Sequence, residues 1–146
     1  MKRKVLLSFL IILLTLTLTL TGCGTIPWCP QWARAEREVY SYWQAITNRQ
    51  YELAKFYCVP DGVWDHKTDE WEEYINTNSE GEASVLIHTP HFYKQTEVIG
   101  DSAITYVQIF TDKIPFPSSG VTYGDFFEYE IELIEETSPP GDWKLK

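Results

Sequence analysis

The sequence predicts an α+β domain in which N-terminal helices pack in the concave face of a curved antiparallel sheet. Three observations carry this. Apolar residues between positions 32 and 75 recur at spacings of three and four, the period of an amphipathic helix. From position 83 onward they recur at spacings of two, the period of a half-buried strand. The period changes once, so helices precede the strands instead of alternating with them, and such an order gathers the helices on one face of an antiparallel sheet.

Before the domain, residues 2–4 carry three positive charges and Val5 to Leu20 carry none, the charged and apolar regions of a secretory signal. The run ends in Leu20-Thr21-Gly22-Cys23, which resembles the lipobox of bacterial lipoproteins at all four positions. Small side chains at Thr21 and Gly22 admit a peptidase to the backbone, and the Cys23 thiol accepts a diacylglyceryl group. The resemblance implies a signal peptide over 1–22, a lipidated tether over 23–31 and a single domain over 32–146, held outside the cytoplasm on a bacterial membrane. Two or three acyl chains on one cysteine, at about 0.8 kcal/mol per buried methylene, make a stable anchor. The alternative is an uncleaved membrane helix, since Val5 to Leu20 is nearly long enough to span; the complete motif at its end favours cleavage.

Within the tether, Trp28 and Trp32 are placed to reach lipid headgroups, although Trp32 also opens the helical pattern and is expected in the core. The first helix is predicted from Trp32 to about Asn48, with Ala35, Val39, Tyr42, Trp43 and Ile46 inward. A second runs from Gln50 to Cys58 and stops at Val59-Pro60-Asp61-Gly62. A third short helix is expected to begin at Thr68 as cap, with Asp69 and Glu70 in its first turn and Trp71, Tyr74 and Ile75 inward, and Asn76 to Glu82 reads as a turn. Strands follow over Ala83–Thr89, Phe92–Ile99 and Ala103–Thr111. After a proline-containing loop comes Val121–Glu135, where Phe127, Tyr129, Ile131 and Leu133 alternate with Glu128, Glu130 and Glu132. A short last strand begins at Trp143.

Once the signal is removed, 124 residues remain, with 9 basic against 21 acidic side chains and a net charge of −12. That balance argues against nucleic acid as a partner and against a protein lying flat on an anionic membrane, and it favours a domain held off the surface by its lipid. All six Trp and all nine Tyr lie in this part, a load that serves core packing first and ligand pockets second. An extracytoplasmic location permits a disulfide between Cys29 and Cys58; the alternative is two buried thiols.

Val39-Tyr-Ser-Tyr-Trp-Gln-Ala-Ile-Thr-Asn-Arg-Gln-Tyr-Glu-Leu-Ala-Lys-Phe-Tyr resembles the opening helix pair of the nuclear-transport-factor-2-like superfamily, and Gly141-Asp142-Trp143-Lys144-Leu145 resembles its closing turn and strand. The resemblance implies a cone-shaped fold that hosts isomerases, dehydratases, adaptors and lipoproteins, so it does not select an activity. In members similar to ketosteroid isomerase, a first-helix tyrosine donates a hydrogen bond into the cone and an acid after the second helix is the base. The matching positions are Tyr42, with Tyr40 beside it, and Asp65 next to Trp64. A carboxylate against Trp64 would take a proton beside a carbonyl while the phenol steadies the enolate. The same Asp65, followed by His66, Lys67, Thr68 and Asp69, also reads as an ordinary polar loop, the reading preferred here.

His88 and His91 flank Thr89-Pro90 and with Glu97 or Asp101 offer metal-ligand types, but their spacing names no third fixed ligand, so no metal and no cofactor is assigned. The acids Asp69, Glu70, Glu72 and Glu73 lack the pattern of a calcium loop. No hydrolase, zinc-protease or nucleotide-binding motif is present. The sequence thus favours a non-enzymatic lipoprotein of the cell envelope that binds a small apolar ligand or a protein partner, with Tyr42, Trp64 and Asp65 as ligand-facing residues. The alternative is an isomerase- or dehydratase-like enzyme with Asp65 as base and Tyr42 as donor, and a homodimer through the sheet is a further expectation.

Overall fold

The computed structural model describes residues 29–79, 83–115, 123–136 and 142–146. The signal, Cys23 and the tether as far as Trp28 lie outside the described residues, as do 80–82, 116–122 and 137–141. Gln31–Lys146 forms one compact unit. Its helices are α1 (Gln31–Thr47), α2 (Tyr51–Phe56) and α3 (Val63–Asn78), followed by β1 (Ala83–Ile87), β2 (His91–Ile99), β3 (Ser102–Pro115), β4 (Tyr123–Glu135) and β5 (Trp143–Leu145).

The expected α+β order is present, and one strand explains the curl. β3 pairs along its whole length with β4, while its other edge is shared by β1 at residues 111–115 and β2 at 102–108. Register shifts between Phe92 and Lys94 and between Lys94 and Glu97 bend β2 as it follows β3. Gly100, at φ +64°, turns the chain between β2 and β3, a conformation that costs a residue with a Cβ. On the far edge β5 pairs with β4, and the strand-like stretch after α2 adds to β5 through Leu145 N–H to Tyr57 O and Val59 N–H to Leu145 O.

Alternation on β3 and β4 buries Ala103, Thr105, Val107, Ile109, Ile131 and Leu133 on the concave face, against Val39, Tyr42, Trp43 and Ile46 of α1. The acids Glu128, Glu130 and Glu132 point to solvent, as the alternation predicts. Helix α1 ends with Arg49 at φ 58°, its N–H on Ile46 O and the next N–H on Ala45 O, the paired bonds of a Schellman stop.

Four expectations need correction. The third helix starts at Val63, not at Thr68, and continues through Asn78. Gly62 takes the extended cap position, and Trp64, Thr68, Trp71 and Ile75 form one buried stripe at helical spacing. Thr68 is inside the helix because its hydroxyl donates to Trp64 O at 2.9 Å, which removes the penalty of burying it. Helix α2 stops at Phe56, and Cys58 instead bridges to Leu145. Trp32 is 44% exposed and not in the core.

The bridge between Cys29 and Cys58 is not formed, because Cys58 is a free, buried thiol. Burial pushes that thiol up to about 12. In the native protein at pH 8, Cys58 should therefore resist an aromatic disulfide reagent and react only once urea unfolds the domain. Rapid native reaction would contradict this burial.

Candidate functional site

Tyr42 is fully buried, and its phenol lies 3.2 Å from Thr68 Oγ1. Thr68 has one hydroxyl proton and gives it to Trp64 O, so Tyr42 is the donor in the pair. Desolvation raises the Tyr42 pKa far above its ordinary value. The phenol is thus neutral, with its proton committed to the protein interior. Trp64 is buried in the same layer, edge-on to Tyr42 at 5.6 Å and to Trp43 at 6.1 Å.

Asp65 stands in the first turn of α3, near enough for its charge to add to the raising of the Tyr42 pKa, but its carboxylate is engaged by the backbone. Its Oδ2 accepts the Asp61 N–H at 3.0 Å, the backward reach of a helix-capping acid, and its charge suits the helix N-terminus. Neither Tyr42, Trp64 nor Asp65 lines any of the three clefts described in the domain. Tyr42→Phe removes one buried hydrogen bond and should lower stability by about 0.5–1.5 kcal/mol, read as a small shift of the urea midpoint.

The lower cone is filled by rings. Trp43 is fully buried and meets Tyr42 at 5.3 Å, Trp71 at 5.1 Å and Tyr129 at 5.8 Å. Above this plug, α3 and the early part of β4 leave a cleft of about 320 Å³, lined by Trp71, Tyr74, Phe127 and Tyr129 with Lys67 and Glu70 at its edge. Phe127 sits edge-on to Trp71 at 4.9 Å and to Tyr74 at 5.6 Å, and stacks parallel to Tyr129 at 6.4 Å. The two elements bring these rings together because Trp71 and Tyr74 are three apart on a helix while Phe127 and Tyr129 are two apart on a strand.

A polar bracket fixes one side of the cleft. The Tyr74 hydroxyl donates to Asp125 Oδ2 at 2.5 Å, and Lys113 Nζ reaches the same oxygen at 3.1 Å. These two contacts, Tyr74 first, hold the Asp125 carboxyl below its ordinary range. Gly124 permits the close approach of β4 to β3 there, since a Cβ would meet Thr111 O at 2.9 Å. Burial pushes the Tyr129 phenol up to about 12, partly offset by a hydrogen bond from the Trp71 indole. At neutral pH the cleft therefore presents apolar walls and neutral phenols, with the Lys67–Glu70 ion pair at its edge. That is a surface for an apolar or aromatic molecule.

The candidate histidines do not meet. His88 Nε2 is 2.7 Å from Asp112 Oδ2, His91 is exposed at the start of β2, and among the described residues no three His, Cys, Asp or Glu side chains are grouped to hold a metal ion. Among the described residues, too, no helix is long and apolar enough to cross a membrane.

Compared by sequence, the chain matches no family model and no curated protein. Compared by structure, it superposes on a ketosteroid isomerase-like protein from Erwinia carotovora atroseptica with a TM-score of 0.59 and 12% identity, over 79% of this chain and 90% of that one. The fold is nuclear-transport-factor-2-like. A conserved protein from Planctomyces limnophilus gives a TM-score of 0.55 and 13% identity, over 76% of this chain and 88% of that one. Within this nuclear-transport-factor-2-like domain, sequence reasoning placed Trp71, Tyr74, Phe127 and Tyr129 inward but did not join them as a site. The available signal was two aromatic pairs, each on one face of its element and more than fifty residues apart.

Proposed function

We propose that this chain is a lipid-anchored protein of a bacterial cell envelope that binds a small apolar or aromatic ligand in the cleft of Trp71, Tyr74, Phe127 and Tyr129. The observation that carries the reading is that cleft: four rings from two elements converge on about 320 Å³ of open space, and the phenols among them stay neutral. The anchor reading is supported by the Leu20-Thr21-Gly22-Cys23 motif after its charged and apolar regions. Cys23→Ser should accumulate as an unprocessed, unlipidated precursor, and a mature-sized lipidated product from that variant would remove the anchor.

Titrating the soluble domain with the neutral fluorophore N-phenyl-1-naphthylamine tests the site. Saturable enhancement at one site is expected; only linear, non-saturating enhancement would refute it. Asp65→Asn distinguishes this from the isomerase-like reading, in which Asp65 is the base and Tyr42 the donor. A binder keeps its affinity in that variant, whereas an enzyme loses most of its turnover. Because Asp65 accepts the Asp61 N–H and Tyr42 donates to Thr68, the binding reading fits the geometry better.

A protein partner is the second reading, and one feature favours it. Phe110 and Phe126 are cross-strand partners on the outer sheet face, with ring centroids 4.9 Å apart and both rings exposed. A homodimer through the sheet would cover this pair.

A further inference from the structure

We propose that the end of the domain carrying Trp32, Ile99 and Ile134 rests on the membrane surface, so that the aromatic cleft opens to the aqueous phase and takes its ligand from water. The proposal rests on the reading of Cys23 as a lipid anchor.

The three residues are exposed by 44%, 76% and 37%, and the fold brings them to one end. Ser102 pairs with Ile99 of β2 on one side and with Ile134 of β4 on the other. Directly opposed residues share a sheet face, so the two isoleucines flank Ser102 on the outer face at one rim. Glu135, next along β4, holds the start of α1 at the same rim: Arg34 lies 2.8 Å from Oε1, and Gln31 Nε2 donates to Oε2 at 3.4 Å. Further along the helix, Glu36 accepts from Thr96 of β2 at 2.7 Å. Trp32 is one turn before Glu36 on the same helix face, which turns it toward the end of β2 where Ile99 stands.

This rim is where the chain enters the domain. Cys23 precedes Gln31 by eight residues, which span about 29 Å at most when fully extended. A lipidated Cys23 thus keeps this end close to the bilayer, and Trp and Ile are side chains suited to its interface. The net charge of −12 opposes a flat contact with an anionic surface, and exposed Asp101 and Glu136 stand at this rim, so the contact is end-on, held by the lipid and confined to headgroup depth, where these charges stay in water.

The cleft is at the opposite end. Phe127 lies seven residues before Ile134 on β4, about 23 Å along a strand. Asp125, Thr111 and Lys113, which bracket Tyr74, lie at that far rim as well. With the Ile99–Ile134 rim on the bilayer, the ligand reaches Trp71 and Phe127 from the aqueous side.

The test uses the full lipidated chain in vesicles of phosphatidylethanolamine and phosphatidylglycerol containing a headgroup-spin-labelled lipid. Mass spectrometry first establishes the acyl chains on Cys23. An environment-sensitive fluorescent amino acid is then placed at Ile99, at Ile134 or, near the cleft end, at Phe126. Blue-shifted emission and spin-label quenching are expected at 99 and 134, with water-like, unquenched emission at 126. Equal quenching at 99 and 126, or stronger quenching at 126, overturns the proposal while leaving the anchor intact. An unmodified Cys23 instead removes the anchor reading, and the proposal with it. All three positions are exposed, so the substitutions do not touch the core.

Discussion

Trp43→Ala should lower the unfolding free energy of the domain by about 3–5 kcal/mol, the largest loss expected from any single side chain here. Trp43 is fully buried on α1, and its ring meets rings from α1, α3 and β4: Tyr42, Trp64, Trp71 and Tyr129. Neighbours fixed on separate elements cannot all collapse into the space left behind, so the cavity term adds to the lost transfer energy. Against a total stability of about 5–15 kcal/mol, that loss leaves a marginal fold. Trp43→Phe should cost much less, because Trp43 Nε1 is buried without a hydrogen-bond partner and deleting it strands no acceptor. Urea unfolding of the two variants checks both statements, and a Trp43→Ala loss under about 1 kcal/mol would mean that the plug is not the core of the cone.

Phe127→Ala should weaken binding of the apolar fluorophore by about 10- to 100-fold, equivalent to about 1.5–3 kcal/mol for one aromatic wall. Phe127 is half-buried and meets the three other rings of the cleft, so its loss opens the wall that joins strand to helix. The side chain is not part of the fully buried plug, and the fold should survive the change. Circular dichroism and the urea midpoint separate lost binding from lost folding. Unchanged affinity in a folded Phe127→Ala protein would place the ligand elsewhere.

Much of the fold was legible because its periods are clean. The alternation of Phe127, Tyr129, Ile131 and Leu133 with glutamates has one solution, an inward apolar face and a solvated outer one. The start of α3 was hidden because Asp65, His66, Lys67, Thr68 and Asp69 are polar in sequence. Thr68 is buried among them because its hydroxyl donates to Trp64 O and accepts from Tyr42, and the second of these partners is tertiary. Trp32 misled in the opposite sense: although apolar and in register with the helical pattern, it is 44% exposed in the first turn of α1. The Cys29–Cys58 pairing failed for a related reason: compartment chemistry permits a bridge but says nothing of where two thiols stand.

The sequence by itself determined the order of elements and the face of each long strand, because those follow from the spacing of apolar residues along the chain. It also carried the lipoprotein motif, which is a local string and needs no fold to be read. Only the tertiary structure decided that the Tyr42 hydroxyl is taken by Thr68 and the Asp65 carboxylate by the Asp61 N–H, and that Trp71, Tyr74, Phe127 and Tyr129 share a cleft. Such facts depend on how a helix and a strand more than fifty residues apart in the chain are brought side by side, and the curl of β3 and β4 against α3 sets that juxtaposition.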